Sequence, residues 1–376
     1  MPRLSGVRRL LDNALTIRDR HGIGLRTQWR SFREFHRLFG INRAEFYGYW
    51  LWDTNRPMTD RLAFISNVER RAIEYRMNPV EPSHQIRNKA WATARLTEAG
   101  IPVGEVLALL SVHPQVVPTD PAYPFLDSTD AVRSFLAAAP SDGLVIKPDD
   151  GEMGRSVHVF REAGPAQLVG FDGTEWSVPR FLELLGSESL WKVERRVHQH
   201  PALATVAGET LGTMRLLTYR MLDGTIHLGP AIWKVPIGLS GLDHFSHGAG
   251  QLAAQIDPAT GRVGPARRWF GLGHVDDHPL TGERITDTVI PHWSAVQDVA
   301  RRSAECFPDL ASLSYDVGVT SDGPVVIEAS ACWGERATQA AGPTGLVQGT
   351  FLQFLEERGF GDVINLAARD TEARLA

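Results

Sequence analysis

The chain has 376 residues, of which 43% are hydrophobic and 22% are charged, so it can bury the core of one large domain or of two to three ordinary ones. Its formal net charge of −5 argues against a general nucleic-acid-binding protein, because a polyanionic partner requires a basic face. Two cysteines, Cys306 and Cys332, are too few and too far apart for a disulfide framework, and no apolar run reaches the ~18 residues that span a bilayer, so we expect a reduced, cytoplasmic protein without a membrane span.

Residues 1–80 are predicted to form a helical region rich in arginine and aromatic residues. Lysine is absent from residues 1–78, and arginines outnumber acidic residues there by about two to one. Trp29, Phe32 and Phe35 recur at helical spacing, which is typical of a stripe buried in a helical bundle. Aromatic residues interleaved with arginines could also indicate a nucleic-acid surface, but the spacing favours the bundle.

Residues 81–140 are predicted to form a linking α/β segment. Ser83 is placed to cap a new helix that ends at Gly100. Lys89 falls on the apolar stripe of that helix, where an unpaired charge is costly. Such a lysine either extends its amino group to the helix edge or meets an anion. Residues 101–110 then have the pattern of a strand leading toward the core.

A strand, a glycine loop and a second strand are predicted within the next unit, residues 141–200. The first apolar run ends in Lys147, and Gly151 and Gly154 in the loop allow positive φ and a close approach of backbone N–H groups to an anion. A flap over phosphates is one interpretation, and a polar hairpin with a solvated lysine is the other. A further predicted strand in this unit carries Glu194.

A cationic hairpin is predicted around Asp223-Gly224, a strong signal for a two-residue turn. Pairing about that turn places Arg215 opposite Ile232 and makes Lys234 a diagonal neighbour of Arg215. Because side chains alternate between the faces of a strand, both cations project from the same side. Two cations packed on one face indicate an anion between them.

A second hairpin brings two carboxylates together. If its turn is centred on Asp322, Asp316 lies directly opposite Glu328, with about 5 Å between the β-carbons. Like charges so placed repel each other unless a divalent cation joins them, and Mg²⁺ typically binds one or two carboxylates plus substrate phosphates. The alternative is a solvent-facing pair in which one carboxyl has a raised pKa.

The order of these features resembles the ATP-grasp superfamily: a lysine on a helix, a Lys-Pro strand with a glycine loop, a glutamate-bearing strand, a cationic hairpin, and paired aspartate and glutamate. The resemblance covers about residues 85–350 and depends on the order of the motifs. Four stretches look like the sugar-transfer-associated group of that superfamily: Val197-His198-Gln199-His200-Pro201-Ala202-Leu203, Gly212-Thr213-Met214-Arg215, Ile256-Asp257 with Thr260-Gly261, and Tyr315-Asp316-Val317.

The fold implied by this resemblance is an α/β (α+β) ATP-grasp fold, in which two mixed subdomains clasp ATP, preceded here by the helical N-terminal region. Residues 141–200 would form the lid subdomain and residues 201–376 the C-terminal subdomain. The resemblance also implies ATP and Mg²⁺ as cofactors. By this resemblance, Lys89 and Lys147 would contact the phosphates and the adenine side of the nucleotide. Glu194 would accept a hydrogen bond from the adenine amino group, with the Val197 backbone nearby. The glycine loop would cover the phosphates through Gly151, Gly154, Arg155 and Ser156.

The resemblance further implies roles for the two hairpins. Arg215 and Lys234 would meet the transferred phosphoryl group, and Asp316 and Glu328 would hold Mg²⁺. The family's last metal motif normally reads Glu-x-Asn, whereas this chain has Ser330 in the third position. A serine hydroxyl can ligate Mg²⁺, but it is shorter than an amide side chain.

The activity implied is an ATP-dependent carboxylate-amine ligase that acts through an acyl phosphate. Its substrates would be small acids and amines, such as an amino acid, peptide or amino sugar in secondary-metabolite or surface-glycan biosynthesis, and a homodimer is compatible with this role. A kinase of a small hydroxylated substrate could use the same nucleotide site. A degenerate ATP-binding scaffold is the third alternative, which the serine at position 330 supports.

Overall fold

The computed structural model describes residues 2–111, 116, 122–150, 156–185, 190–238, 241–243, 245 and 251–370. The N-terminal region is helical, as predicted, and contains α1 Pro2–His21, α2 Leu25–Phe39, α3 Arg43–Gly48, α4 Met58–Leu62 and α5 Asn67–Met77. Asn42 and Ser66 begin α3 and α5 as capping boxes, in which a glutamate three residues later bonds back to the cap. Within the described residues, no helix is both long and apolar enough to cross a bilayer.

Two short helices, α6 Val80–Arg87 and α7 Lys89–Glu98, replace the single helix that the sequence predicted. Asn88 separates them because its backbone is extended, and its side chain accepts a hydrogen bond from Trp91 N as the cap of α7. Ser83 therefore lies inside α6 and does not begin a helix. Lys89 is the first residue of α7, with 11% of its side chain exposed.

A seven-stranded sheet, here called the lid sheet, comprises β1 Val106–Leu110, β2 Phe125–Leu126, β3 Leu144–Pro148, β4 His158–Ala163, β5 Gln167–Gly170, β6 Glu175–Ser177 and β7 Trp191–Arg195. Its spatial order is β2-β1-β7-β3-β4-β5-β6. Two helices, α8 Thr129–Ala138 and α9 Val178–Leu185, cover one face. Leu136 of α8 and Phe181 of α9 pack there against Leu144 and Ile146 of β3.

The structure divides residues 81–140 differently from the sequence prediction. β1 pairs antiparallel with β7, so the second half of that segment belongs to the same sheet as residues 141–200. The first half packs elsewhere, because Ile86, Ala92 and Leu96 lie in a core formed with the strands of residues 214–330. The segment therefore does not form a separate linking unit.

The second sheet, here called the C-terminal sheet, has eight strands: β8 Met214–Arg220, β9 Ile226–Leu228, β10 Ala231–Val235, β11 Leu252–Ile256, β12 Ala266–Arg268, β13 His274–Val275, β14 Ser312–Thr320 and β15 Gly323–Ser330. Their order is β13-β12-β11-β10-β8-β14-β15, with β9 beside β8. The accompanying helices are α10 Pro201–Ala207, α11 Trp293–Glu305, α12 Glu335–Ala341, α13 Gly349–Glu357 and α14 Leu366–Arg369.

Different parts of the chain cover the two faces of the C-terminal sheet. α11 packs on one face, where Trp233 is fully buried. The N-terminal helices and α12 pack on the other face, where Ile232 joins a cluster that includes Phe46. Ile232 is paired with Arg215, and paired residues share a face. The N-terminal helices therefore lie on the face that carries Arg215.

The hairpin of β8 and β9 does not have the predicted two-residue turn. Met221 N donates to Thr225 O at 2.9 Å, which closes a three-residue loop with Gly224 at a φ of 89°. The pairing then changes register by one residue between β9 and β10. Arg215 consequently opposes Ile232, as predicted, although the turn itself is longer.

The hairpin of β14 and β15 has a tighter turn than predicted, because Thr320 opposes Gly323. A β-bulge at Ile327 then adds one residue to β15, and Asp316 opposes Glu328, as predicted. Without the bulge, Asp316 would oppose Ile327 and the Glu328 side chain would lie on the opposite face. The bulge therefore creates the carboxylate pair.

Replacing Gly345 by alanine is expected to destabilise the protein strongly. A Cβ at Gly345 would lie 2.2 Å from backbone atoms of Ala63 and Phe64, and backbone cannot rotate away as a side chain can, so the free energy of unfolding should fall by roughly 3 kcal/mol. Urea denaturation measures this. Gly273→Ala is the matched control, because nothing lies within 4 Å of its Cβ position. Equal stability of the two variants would contradict the prediction.

Candidate active site

Two lysines share one buried glutamate on the lid sheet. Lys147 Nζ lies 2.8 Å from Glu194 Oε2, and Lys192 Nζ lies 2.8 Å from Glu194 Oε1. Burial alone would raise the pKa of Glu194, but the two lysines lower it below its ordinary value. Burial lowers the pKa of Lys192 to about 8, because Glu194 offsets the loss of hydration only in part. The glutamate is therefore ionised and holds both lysines in place.

Lys192 was not among the site residues predicted from the sequence. The alternation of side chains along β7 could have revealed it, because it places positions 192 and 194 on the same face. Lys147 of β3 lies opposite Lys192. Both Glu194 oxygens accept from lysines in the structure, so the expected contact of Glu194 with an adenine amino group stays a prediction. Val197 lies two residues beyond the end of β7, where its backbone contact with the nucleotide also stays a prediction.

Lys89 and Lys147 lie where the lid sheet meets β15. Lys147 Nζ donates to the carbonyl of the bulged Ile327 at 3.3 Å, and Lys89 Nζ is 4.0 Å from Glu328 Oε1. Burial lowers the pKa of Lys89, which Glu328 partly restores. Lys89, Lys192 and Glu328 also line one narrow cleft beside these contacts. The structure thus brings the two predicted lysines to one carboxylate of the predicted metal pair.

The start of α7 is fixed from both sides. Asp149 O accepts from Lys89 N at 3.0 Å, and the Asp149 carboxylate accepts from Ala90 N at 2.8 Å. On the other side, Lys192 Nζ donates to Thr93 Oγ1 at 2.9 Å. A carboxylate at a helix N-terminus is favourable, so Asp149 and Lys192 position Lys89 toward the second sheet.

A second ionic cluster lies on the C-terminal sheet. Arg215 donates to both oxygens of Asp316, at 2.9 and 2.8 Å, and Lys234 Nζ donates to Asp316 at 3.0 Å and to Asp243 at 3.1 Å. Burial would raise the pKa of Asp316, but Arg215 and Lys234 hold it well below its usual range. Arg215 keeps 26% of its side chain exposed, against 6% for Lys234. The two predicted cations do meet an anion, and that anion is Asp316.

The carboxylates differ in their fitness for Mg²⁺. Glu328 has 39% of its side chain exposed, and a single carboxylate with phosphate oxygens is a common Mg²⁺ site. Asp316 fits less well as it stands, because both its oxygens are bonded to cations. Ser330 Oγ is bonded to the backbone of Cys332. Among the described residues, no group of three or more His, Cys, Asp or Glu could hold a metal ion.

The predicted glycine loop is only partly within the described residues. Gly151, Gly154 and Arg155 lie outside them. Ser156, at the end of the loop, is exposed and has a φ of 59°, in the left-handed region that turns use. The contact of this loop with phosphates stays a prediction.

A buried ionic network connects the N-terminal helices to the chain beside Arg215. Arg70 pairs with Glu74 and lies 2.6 Å from Glu335 Oε2, while Glu74 accepts from Trp333 N at 2.9 Å. The neighbouring Gly334 is so close to Arg215 that a Cβ there would be 3.4 Å from the guanidinium. α5 therefore holds the segment that lines Arg215. This network could not be predicted from the sequence, because it joins residues far apart in the chain.

Glu74→Gln is expected to remove a pH dependence of stability. Burial raises the pKa of Glu74 from 4.5 to about 7, so the folded protein binds this proton more tightly than the unfolded chain does. Its contribution to stability is present below pH 4.5 and is lost as the pH rises to 7, by roughly 2–3 kcal/mol. Relative to the wild type, the variant should gain that amount between pH 4.5 and pH 7.5 in urea denaturation. Glu81→Gln, at an exposed glutamate, is the control and should show no such gain. If the free energy of unfolding of Glu74→Gln changed with pH as that of the wild type does, Glu74 would not be the source of this pH dependence.

Several solved structures resemble this chain at low sequence identity. The solved structure of N5-carboxyaminoimidazole synthase from Aspergillus clavatus is 11% identical, with a TM-score of 0.40 over 71% of this chain, which spans only about half (51%) of that chain. D-alanine–D-alanine ligase from Bacillus anthracis is 13% identical, with a TM-score of 0.40 over 81% of this chain and 76% of its own. VanG D-Ala:D-Ser ligase from Enterococcus faecalis is 10% identical, with a TM-score of 0.42 over 77% and 62%.

No curated protein sequence matches this chain. The family model for sugar-transfer associated ATP-grasp proteins, in contrast, matches residues 69–353. That span begins in α5 and includes the lid sheet, the C-terminal sheet and both ionic clusters. The chain therefore belongs to the sugar-transfer-associated ATP-grasp family.

Proposed function

We propose that this protein is an ATP-dependent ligase that joins a carboxylate to an amine through an acyl phosphate. The observation that carries the proposal is the meeting of two cationic groups from different sheets. Lys147 comes from the lid sheet, Lys89 begins α7 beside β15, and Arg215 and Lys234 come from the C-terminal sheet. Glu328 interacts with both Lys89 and Arg215. Cations fixed by buried carboxylates are suited to bind phosphates without reorganising.

In the first step, an oxygen of the substrate carboxylate would attack the γ-phosphorus of ATP, and the bond from that phosphorus to the β,γ-bridging oxygen would break. Lys89 and Lys147 would bind the triphosphate, with the loop that contains Gly151, Gly154, Arg155 and Ser156 over it. Mg²⁺, when bound, would offset phosphate charge, with Glu328 as its best available ligand and Asp316 and Ser330 as further predicted ones. ADP would leave.

In the second step, the amine nitrogen would attack the carbonyl carbon of the acyl phosphate, and the carbon–oxygen bond to phosphate would break. The nitrogen would lose a proton, and inorganic phosphate would leave. Arg215 would bind the phosphoryl oxygens in both steps from the Nη1 side of its guanidinium, because its Nε and Nη2 already donate to Asp316. Lys234 would keep Asp316 charged and Arg215 correctly placed. Exclusion of water would protect the acyl phosphate from hydrolysis.

Hydroxylamine trapping tests the proposal. The protein is incubated with Mg·ATP, hydroxylamine and a panel of amino acids, peptides and other small acids. We expect ADP and hydroxamate in equal amounts with the correct acid, since hydroxylamine intercepts only an activated carboxylate. ADP with a phosphoester and no hydroxamate would indicate a kinase instead. No ADP with any acid, together with thermal stabilisation by Mg·ATP, would indicate an ATP-binding scaffold.

A further inference from the structure

Four arginines of α2 form one exposed stripe, here called the α2 arginine stripe: Arg26, Arg30, Arg33 and Arg37. Their spacing of four, three and four residues, at about 100° per residue, keeps them within about 60° of one another around the helix. Over eleven residues the stripe is roughly 16 Å long. The opposite side of α2 is buried through Gln28, Phe35 and Phe39. The stripe therefore points away from the protein core.

These arginines have no acidic partner in the described part of the chain. Among the described residues, no ion pair includes any of the four. Glu34, the only acidic residue of α2, interacts electrostatically with the buried Arg61. Like charges three and four residues apart destabilise a helix. Arg26 also lies in the first turn, where the helix dipole disfavours a cation. Such an arrangement is unfavourable in isolation and becomes favourable when an anionic surface binds it.

Exposed apolar side chains border the stripe. Trp29 is 51% exposed, although the sequence predicted it to be buried in the bundle, and Leu25 is 40% exposed. The Arg43 guanidinium lies 5.6 Å from the centre of the Trp29 ring, which adds a fifth cation. Tryptophan beside arginine is the composition that favours a membrane interface, where the ring sits among the headgroups and the guanidinium binds phosphate.

The N-terminal region and the rest of the chain carry opposite net charges. Residues 1–78 contain 15 arginines and 8 acidic residues, so the remaining residues, with 24 basic and 36 acidic side chains, carry a formal charge of −12. An anionic surface would repel most of the molecule and attract its N-terminal helices. We propose that the α2 arginine stripe, with Trp29, docks this protein on a membrane surface of anionic phospholipids. This goes beyond the proposed ligase activity and does not depend on it.

Vesicle co-sedimentation tests the proposal with the full chain. We expect binding to vesicles of phosphatidylcholine with 30% phosphatidylglycerol, little binding to phosphatidylcholine alone, and loss of binding at high salt. Each arginine near an anionic surface should contribute about fivefold. The triple variant Arg30→Gln, Arg33→Gln and Arg37→Gln should therefore reduce the partition coefficient roughly 100-fold. Trp29→Ala should reduce binding by a smaller factor that salt does not change.

The matched control removes the same charge elsewhere, at exposed arginines outside the stripe: Arg71→Gln, Arg268→Gln and Arg301→Gln. It should keep wild-type partitioning within about twofold, which separates docking by this face from a net-charge effect. Circular dichroism of both triple variants checks that they fold. Equal losses in the two triple variants would overturn the proposal. So would an absence of wild-type binding to the anionic vesicles, including the case in which an acidic polypeptide or RNA binds the stripe instead.

Discussion

Arg215→Ala is expected to lower kcat by 10²- to 10³-fold while the KM for ATP changes only a few-fold, as is typical when one donor to a developing anion is lost. Arg215 bonds both oxygens of Asp316, and 26% of its side chain remains exposed. Its loss would remove the proposed contact to the phosphoryl oxygens, while the lysines that would bind the rest of the triphosphate are unchanged. Steady-state kinetics with ADP detection measures kcat and the KM for ATP separately.

Two controls separate catalysis from folding. Arg215→Lys keeps the charge but cannot bond two oxygens at once, so it should recover only part of the rate. Arg195→Ala removes an exposed arginine that pairs with Glu105 and lies 41% exposed on the lid sheet, and it should keep wild-type kinetics. Urea denaturation of all three variants shows whether each is folded under assay conditions. Unchanged turnover in folded Arg215→Ala would exclude the proposed role.

The sequence predicted the paired residues of the two hairpins better than it predicted their turns. Arg215 opposes Ile232 and Asp316 opposes Glu328, as predicted. In each case a register change within the hairpin compensates for a turn of unexpected length, and the bulge at Ile327 is one of these. A bulge depends on the neighbouring strands more than on the local sequence, so residue patterns alone could not reveal it.

The partners of the predicted cations could not be predicted in the same way. Asp243 lies in an irregular segment without periodicity, and only the fold brings its carboxylate to Lys234. The Asp149 carboxylate accepts from Ala90 N at the start of α7, a contact between residues far apart in the chain. The packing of the N-terminal helices on the face of Arg215 depends on contacts between distant parts of the chain. Local spacing identifies a charged side chain, but its partner is set by tertiary structure.

Glu194→Gln is expected to lower the free energy of unfolding by roughly 3–5 kcal/mol, because it leaves buried lysines without their shared anion. Glu194 is 6% exposed, Lys147 is 5% exposed and Lys192 is fully buried. An amide can accept one hydrogen bond but cannot balance either charge. Urea denaturation at pH 7 measures the loss. Glu105→Gln is the matched control on the same sheet, since the Glu105 side chain is 57% exposed and its ion pair should contribute less than about 1 kcal/mol.

The loss caused by Glu194→Gln should shrink as the pH rises. The pKa of Lys192 is already about 8 in the folded protein, and removal of Glu194 lowers it further, whereas the unfolded chain keeps an ordinary lysine pKa. Stability from such a group is gained as the pH rises from the folded pKa toward the unfolded one. The variant gains this stability over a wider pH range than the wild type does. The difference in the free energy of unfolding between the two proteins should therefore be smaller at pH 9 than at pH 7. If Glu194→Gln were no more destabilising than Glu105→Gln at pH 7, Glu194 would not be the anion that holds Lys147 and Lys192 in the cleft.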